Sequence, residues 1–379
     1  MKKSISIHIQ ISLLLIATLG VMSGITVVSS LPLISHSFSN IPHIEFLSKM
    51  MLIIPSIMIA IFAPIMGIIV DKFGRLKPLY IGIILFILGG SSGFYLENFY
   101  EILVGRAVLG LGVATIMTCS MALIGDYFNE EMRHKFMSRQ GMAVAFGGII
   151  FITTGGLLAQ IHWSYPFAIY FIPLLFLPYI MGSLYEPEEE KETPHLEFES
   201  SLLPVFLTAF FVMILFYMLP TQLPYLIVNT LHGEPKMIGF VIASAMLFNA
   251  MMAIQYAKIK AKFSYLQIYS GTFFLFGIGL LLVSQATSIN DLFYSVFFIG
   301  MAFGLLFVNT NAWFLSKVSP KKRGKASGIL TSSFFLGQFS SPFIMQPLVS
   351  AYGIQGLFFI ISFLSIIISI TLLLKSFSK

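Results

Sequence analysis

Runs of about twenty consecutive apolar residues recur along the whole chain, and each has the length a helix needs to cross a bilayer. Hydrocarbon offers no water to backbone N–H and C=O groups, so runs of this kind fold as membrane-spanning helices rather than open strands or irregular loops. Twelve segments meet the description, at roughly 8–31, 46–70, 78–96, 101–125, 138–160 and 165–185, then 203–226, 237–257, 265–286, 291–315, 326–350 and 355–375. Only 10% of the 379 residues are charged, where a soluble domain carries about 25%. The bilayer is therefore the main solvent of this chain. The opening Met1-Lys2-Lys3 precedes an apolar stretch of more than twenty residues with no Ala-x-Ala site, which reads as a retained first helix rather than a signal peptide.

The basic residues orient these spans. Of 22 Lys and Arg, nineteen fall on one side of the twelve-span map, only Lys49 and Lys236 fall on the other, and Arg106 lies inside a helix. By the positive-inside rule both termini are cytoplasmic, and the cell inner (plasma) membrane is the expected location. Adding or losing one span would scramble the separation. The net charge of +6 is thus spread over loops and does not form a nucleic-acid-binding patch. The stretch Glu186–Glu199, with seven acids, Pro187 and Pro194, reads as a solvated linker. Cys119 is the single cysteine, so it has no disulfide partner and reads as a packing residue. The seven histidines show no metal-ligand spacing, and no G-x-x-x-x-G-K-S/T loop binds ATP. No cofactor or metal is expected.

The linker sits near the midpoint, which prompts a search for internal repetition. An offset of 190 lays Gly110 on Gly300, Arg133 on Arg323 and Lys135 on Lys325. The expected fold is all-α and integral to the membrane, with twelve transmembrane helices in two six-helix pseudo-repeat bundles. Their bounds are 1–185 and 203–379, joined by an acidic cytoplasmic linker at 186–202.

The turn after the second span reads Gly67-Ile-Ile-Val-Asp71-Lys72-Phe73-Gly74-Arg75-Leu76-Lys77-Pro78. Gly67 is expected to let a neighbouring helix approach closely, Gly74 to permit a tight reversal, and Asp71 and Arg75 to set opposite charges at the membrane face. This resembles the G-x-x-x-D-R/K-x-G-R-R/K signature between helices two and three of the major facilitator superfamily, with Leu76 displacing the second basic residue by one place. The resemblance implies that Asp71 docks at the start of the eleventh helix, where the dipole favours an anion, and that Arg75 pairs with Asp126 at the end of helix four. Gly67, Asp71, Gly74, Arg75 and Asp126 would then form a gating latch. A plain positive-inside turn is the alternative.

Arg106 is the one charge placed well inside the hydrocarbon, at a cost of about 2.5 kcal/mol or more, so it must face a cavity or a partner. Arg106, Gly110, Gly112 and Ala114 resemble the helix-four motif R-x-x-x-G-x-G-x-A of the same family, which implies a place on the substrate path or in proton coupling. Snorkelling toward the outer end beside Glu101 is the alternative. In the fifth span Gly155 and Gly156 keep the glycine pair of the drug-antiporter motif and are expected at a helix contact, but Phe151 and Ile152 replace its central Gly-Pro.

All 16 carboxylates map to loops or helix ends, so a neutral or anionic amphipathic cargo is more natural than a cation. Candidate cavity residues are Thr26, Tyr217, Asn249, Asn309, Asn311 and Gln338, because amides in hydrocarbon seek partners and point inward; interhelical bonding serves them equally well.

These readings converge on a secondary transporter that works by alternating access, exporting a drug-like compound, metabolite or siderophore by analogy with efflux members, with protons as an optional coupling partner. It is expected to be a monomer in the lipid bilayer. An importer or facilitator of a neutral or anionic metabolite or siderophore is the alternative within the class. A membrane-embedded lipid-modifying enzyme is the alternative outside it, and would need a convergence of Asp, Glu or His that the sequence does not show.

Overall fold

A computed structural model describes residues 6–128, 130–187, 202–318 and 323–377; the side chains of residues 130, 131, 134, 138, 323–325 and 327 lie outside the description. Most of the linker at 186–202 therefore falls beyond the described residues. The chain divides into two compact units, Met1–His195 and Leu196–Lys379.

The first unit carries α1 (Ile7–Ile25), a 3₁₀ turn at Val28–Ser30, α2 (Leu31–Ser37), α3 (Ile44–Phe73), α4 (Leu76–Gly90), α5 (Ser92–Tyr95), α6 (Phe99–Tyr127), α7 (Glu130–Ile161), a 3₁₀ segment at Tyr165–Phe171 and α8 (Pro173–Ser183). The second carries α9 (Leu203–Tyr225), a π-helical turn at Leu226–Thr230, α10 (Pro235–Lys260), α11 (Tyr265–Ser284), α12 (Ile289–Lys317) and α13 (Arg323–Phe377). Polar residues start several of these helices. The side chain of Ser6 caps α1 and that of Asn98 caps α6, while Ser264 with Gln267 forms a reciprocal capping box on α11.

Among the described residues ten stretches are long and apolar enough to span a membrane. Two further crossings complete the twelve. Leu76–Gly90 is short at 15 residues, and α5 extends it through Ser91 to Tyr95. The stretch Gly328–Phe377 is a double length, and it breaks at Gly353, whose φ of 73° and ψ of 173° belong to glycine rather than to a helix. The expected gap between spans eleven and twelve falls at this break. The first span departs from expectation by ending near Ile25 and continuing as a 3₁₀ turn and α2 to Ser37.

Each unit is organised around its fourth helix. In the first, α6 packs on α1, α3 and α4; in the second, α12 packs on α9, α10 and α11. The repeat seen in the sequence reappears in these contacts. A Cβ on Gly89 would lie 2.5 Å from the Gly105 carbonyl oxygen and 2.4 Å from the Leu109 nitrogen, while one on Gly279 would lie 3.0 Å from the Ser295 oxygen and 3.1 Å from the Ile299 nitrogen. Likewise a Cβ on Gly110 would lie 2.7 Å from the Pro55 oxygen, and one on Gly300 2.4 Å from the Ala245 oxygen. Every member of these sets is displaced by the same 190 residues. In bilayers, where helix association depends on close packing rather than hydrophobic exclusion, such backbone-to-backbone seams hold the bundle together.

Candidate functional site

The turn between α3 and α4 is built by Gly74, whose φ of 84° and ψ of 177° reverse the chain between Phe73 and Leu76. Asp71 is exposed in the last turn of α3, and Asp126 lies in the last turn of α6. Both acids sit where the helix dipole disfavours an anion. Asp126 is compensated by Arg75, whose Nε donates to Oδ2 at 3.0 Å; the two side chains are 11% and 30% exposed. Gly67 differs from expectation, because a Cβ there would meet nothing within 4 Å. The crowding is at Gly74 instead, where a Cβ would lie 2.7 Å from Oε1 of Glu186.

Glu186, the first residue of the expected linker, is exposed and also bonded to this turn. Its carboxylate accepts the backbone N–H groups of Arg75 and Leu76, the latter at 3.0 Å. Tyr127, the last residue of α6, donates its hydroxyl to the Tyr185 carbonyl and accepts the Tyr185 N–H at 3.2 Å. The turn, the end of α6 and the residues after α8 are thereby tied together.

Arg106 is fully buried, so it does not snorkel. Its Nε donates to the Met51 carbonyl at 2.8 Å and one terminal nitrogen donates to the Ser23 carbonyl at 2.8 Å. Both acceptors are carbonyls that helix geometry leaves open. The Met51 oxygen would ordinarily receive the N–H of residue 55, and Pro55 has none. The Ser23 oxygen lies in the last turn of α1, where intrahelical donors run out and the dipole favours a cation. Tyr170 adds its hydroxyl to the Ser23 carbonyl at 3.0 Å, and its ring lies 5.3 Å from the guanidinium carbon. Gly110 and Gly112 serve packing in this structure. Gly110 receives Pro55 of α3, and a Cβ on Gly112 would lie 2.7 Å from the Phe86 nitrogen of α4.

Lys49 is a second buried cation, which placing it on the outer side of the span map did not reveal. It lies one turn into α3, fully buried, with Nζ 3.5 Å from Oε1 of Glu45, whose side chain is 43% exposed. Among the described residues Lys49 and Arg106 are the buried charged side chains.

The remaining candidates separate by environment. Thr26 is buried and its hydroxyl donates to the Met22 carbonyl of its own helix; Gly155 packs against it, since a Cβ there would lie 2.3 Å from the Thr26 carbonyl oxygen. Gly156 is buried beside it. Asn309 is buried and joins three helices: Tyr256 of α10 donates to its Oδ1 at 3.0 Å, and its Nδ2 donates to the Tyr265 carbonyl of α11 at 3.2 Å. Asn311 is exposed and bonds the Phe307 carbonyl of its own helix at 2.9 Å, against the expectation that both amides turn inward. Tyr217 and Gln338 are buried and Asn249 is half-buried.

Comparison with known proteins identifies the family. The sequence model described as the Major Facilitator Superfamily matches residues 11–204 and again 205–378. The chain belongs to the major facilitator superfamily. Its similarity to the bacillibactin exporter of Bacillus subtilis (strain 168) is 26% identity over 93% of this chain and 96% of that protein. To the quinolone resistance protein NorA of Staphylococcus aureus (strain MSSA476) it is 22% over 77% of this chain and 78% of that protein. A match to MFS transporter L2 of Phoma sp. (strain ATCC 20986 / MF5453) is 32% identical but spans only 28% of this chain and 18% of that protein. Among solved structures, a bacterial homologue of the human lysosomal transporter Spinster in an inward-facing, occupied conformation superposes with a TM-score of 0.78 at 17% identity, over 97% of this chain and 96% of that one. That likeness concerns the fold.

This major facilitator protein is thus a multi-pass membrane transporter, not an enzyme. Its second unit contains an aromatic cluster absent from the sequence-derived candidates. Phe216 lies 4.8 Å from Phe303 and 5.1 Å from Phe307, ring centre to ring centre; Phe334 is 6.0 Å from Phe307, and Phe276 is 5.0 Å from Phe303. Phe216, Phe307 and Phe334 are half-buried. The spacing of Phe303 and Phe307 on α12 was a readable signal, since residues four apart share a helix face, but the convergence of α9, α11 and α13 on it was not.

Proposed function

We propose that this chain is a secondary active exporter of a small amphipathic organic molecule, neutral or anionic, such as a drug-like compound, metabolite or siderophore. The observation that carries the reading is the inventory of buried charge: two cations and, among the described residues, no buried carboxylate. A cation pump needs a buried acid to attract its cargo or carry its proton, whereas buried cations suit a neutral or anionic one. The half-buried aromatic cluster offers such a cargo ring faces, in keeping with amphipathic compounds. Export follows the names of the relatives that align along most of their length.

Transport proceeds by rocking residues 1–185 against 203–379 about the linker at 186–202. The protein acts as a monomer in the cell inner membrane with both termini cytoplasmic, an orientation that the sidedness of the basic residues supports. Asp71, Arg75 and Asp126, on the turn shaped by Gly74, act as the latch that opens and closes during the cycle. Tyr217, Asn249, Asn311 and Gln338 meet the cargo, and Arg106 holds the helices beside the path. Protons are the candidate coupling ion for an antiport; with no buried carboxylate among the described residues, Glu45 or Asp126 would have to carry them.

Inverted membrane vesicles test direction, chemistry and coupling together. With bacillibactin and a quinolone as probes, an imposed pH gradient should drive unmodified probe into the vesicle lumen. Release from the lumen would replace export with import, flux indifferent to the gradient would remove the proton, and chemical conversion would argue for an enzyme.

A further inference from the structure

The second unit gathers positive charge at one end without the acids that accompany it in the first. From residue 203 on the chain carries eleven Lys and Arg and two acids. Both acids, Glu234 and Asp291, and one cation, Lys236, lie at the starts of α10 and α12. The other ten cations fall at the α10–α11 and α12–α13 junctions or toward the end of the chain. Helix packing brings these places together. The Tyr265 hydroxyl at the start of α11 donates to the Ala312 carbonyl of α12 at 3.3 Å, and the Ser270 hydroxyl donates to the Ser369 carbonyl of α13 at 2.8 Å.

The internal repeat separates this charge from a topology signal. At the offset of 190, Lys72, Arg133 and Lys135 recur as Lys262, Arg323 and Lys325, whereas the acids Asp71, Asp126, Glu130 and Glu131 are replaced by Ala261, Ser316, Pro320 and Lys321. Orientation in a membrane depends on Lys and Arg and is nearly indifferent to carboxylates. It accounts for the cations that are kept and not for the acids that are lost. The described lysines also meet apolar surface. Leu247, Met251 and Ile254 are exposed along the face of α10 that ends in the exposed Lys258, so contact for an acyl chain leads directly to an ammonium group. Lys262 and Lys317 are exposed beside it in the same end of the unit. The Lys260 ammonium lies 4.2 Å from the centre of the Tyr265 ring and that of Lys317 6.0 Å from the Trp313 ring, aromatic types that settle at headgroup level.

We propose that this end of the second unit binds an anionic phospholipid, with its phosphate against Lys258, Lys262 and Lys317 and an acyl chain along the exposed face of α10. The proposal depends on neither cargo nor direction, so its failure leaves the proposed function standing. Trp313 reports on the site, and Trp163→Phe leaves it the sole tryptophan of the full chain. In detergent, phosphatidylglycerol brominated near the headgroup should quench Trp313 at about tenfold lower lipid concentration than phosphatidylcholine brominated in the same way. Lys258→Gln/Lys262→Gln/Lys317→Gln should bring the two lipids within about twofold of each other, while arginine at the same three positions should keep the preference. Lys258→Gln/Lys262→Gln carries the same readout should the triple variant fail to fold. Equal quenching by the two lipids with all three lysines in place, or a preference that survives their replacement by glutamine, would overturn the proposal. A preference abolished by inorganic phosphate, at an ionic strength where chloride leaves it intact, would overturn it in favour of a free-anion site.

Discussion

Arg106 occupies the hydrogen-bonding vacancy that Pro55 creates: its Nε donates at 2.8 Å to the Met51 carbonyl that a proline four residues later leaves open. The internal repeat supplies a control. At the offset of 190, Pro55 falls on Ala245 and Arg106 on Val296, so the half without the proline also lacks the arginine. Arginine suits the position because its planar guanidinium donates in two directions at once, here to carbonyls of α1 and α3.

The first prediction concerns this pair. Arg106→Ala leaves the buried Met51 carbonyl open, while the Ser23 carbonyl keeps the Tyr170 hydroxyl, and should destabilise the protein by about 1–3 kcal/mol, the cost of one orphaned group. In Pro55→Ala/Arg106→Ala the backbone N–H of residue 55 returns to the Met51 oxygen, so the double variant should recover part of the loss. Thermal unfolding in detergent measures both, and strict additivity of the two substitutions would exclude the vacancy argument.

Arg75 and Asp126 call for a different expectation. Both side chains are partly exposed, and an ion pair of this kind contributes about 0–1 kcal/mol. Asp126→Asn should slow probe transport in vesicles severalfold while the unfolding temperature stays nearly constant. Asp71→Asn is expected to behave alike. Transport at the wild-type rate in both variants would remove the latch from the mechanism.

Glycines separate into crowded and open positions. Gly155→Ala drives a Cβ against the Thr26 carbonyl and should cost about 1–3 kcal/mol. Gly67→Ala meets no atom within 4 Å and should be neutral or stabilising by up to about 1 kcal/mol through helix propensity. Comparative unfolding of the two variants decides the matter.

Lys49 and Glu45 should respond asymmetrically. Lys49→Met removes a buried charge and leaves behind a carboxylate already 43% exposed, so its effect on stability should be within about 1 kcal/mol or favourable. Glu45→Gln weakens the compensation of a fully buried ammonium group and should cost more. The order of the two unfolding temperatures is the test.

Asn309 and Asn311 are neighbours with different work. Asn309→Ala severs bonds to α10 and α11 and should destabilise by about 0.6–1.7 kcal/mol. Asn311→Ala loses only a bond within α12, so any effect should appear in probe transport rather than in unfolding.

The twelve crossings and the two-fold repeat were legible because they depend on properties carried along the chain: apolar length, the sidedness of Lys and Arg, and a recurrence at one offset. The glycine turn at Gly74 was legible, since a turn residue announces itself locally, whereas the break at Gly353 was legible only as a gap between two apolar runs. The burial of Lys49 was not legible, because its position in sequence gives its distance from a helix end, whereas its burial depends on which neighbours cover it. Gly67 was misjudged for the same reason, since a motif names a residue without naming the atom opposite.

From sequence alone followed the solvent of this protein, the number of times it crosses, and the pairing of Arg75 with Asp126 through resemblance. Tertiary structure decided that Arg106 is buried against the carbonyl Pro55 leaves open, that Asn309 joins helices while Asn311 is exposed, and that Glu186 caps α4. Crossing a bilayer is required of each segment separately, so it is written locally. Satisfying a buried donor or a freed carbonyl takes a partner fifty or a hundred residues away, and only the packed helices bring the two together.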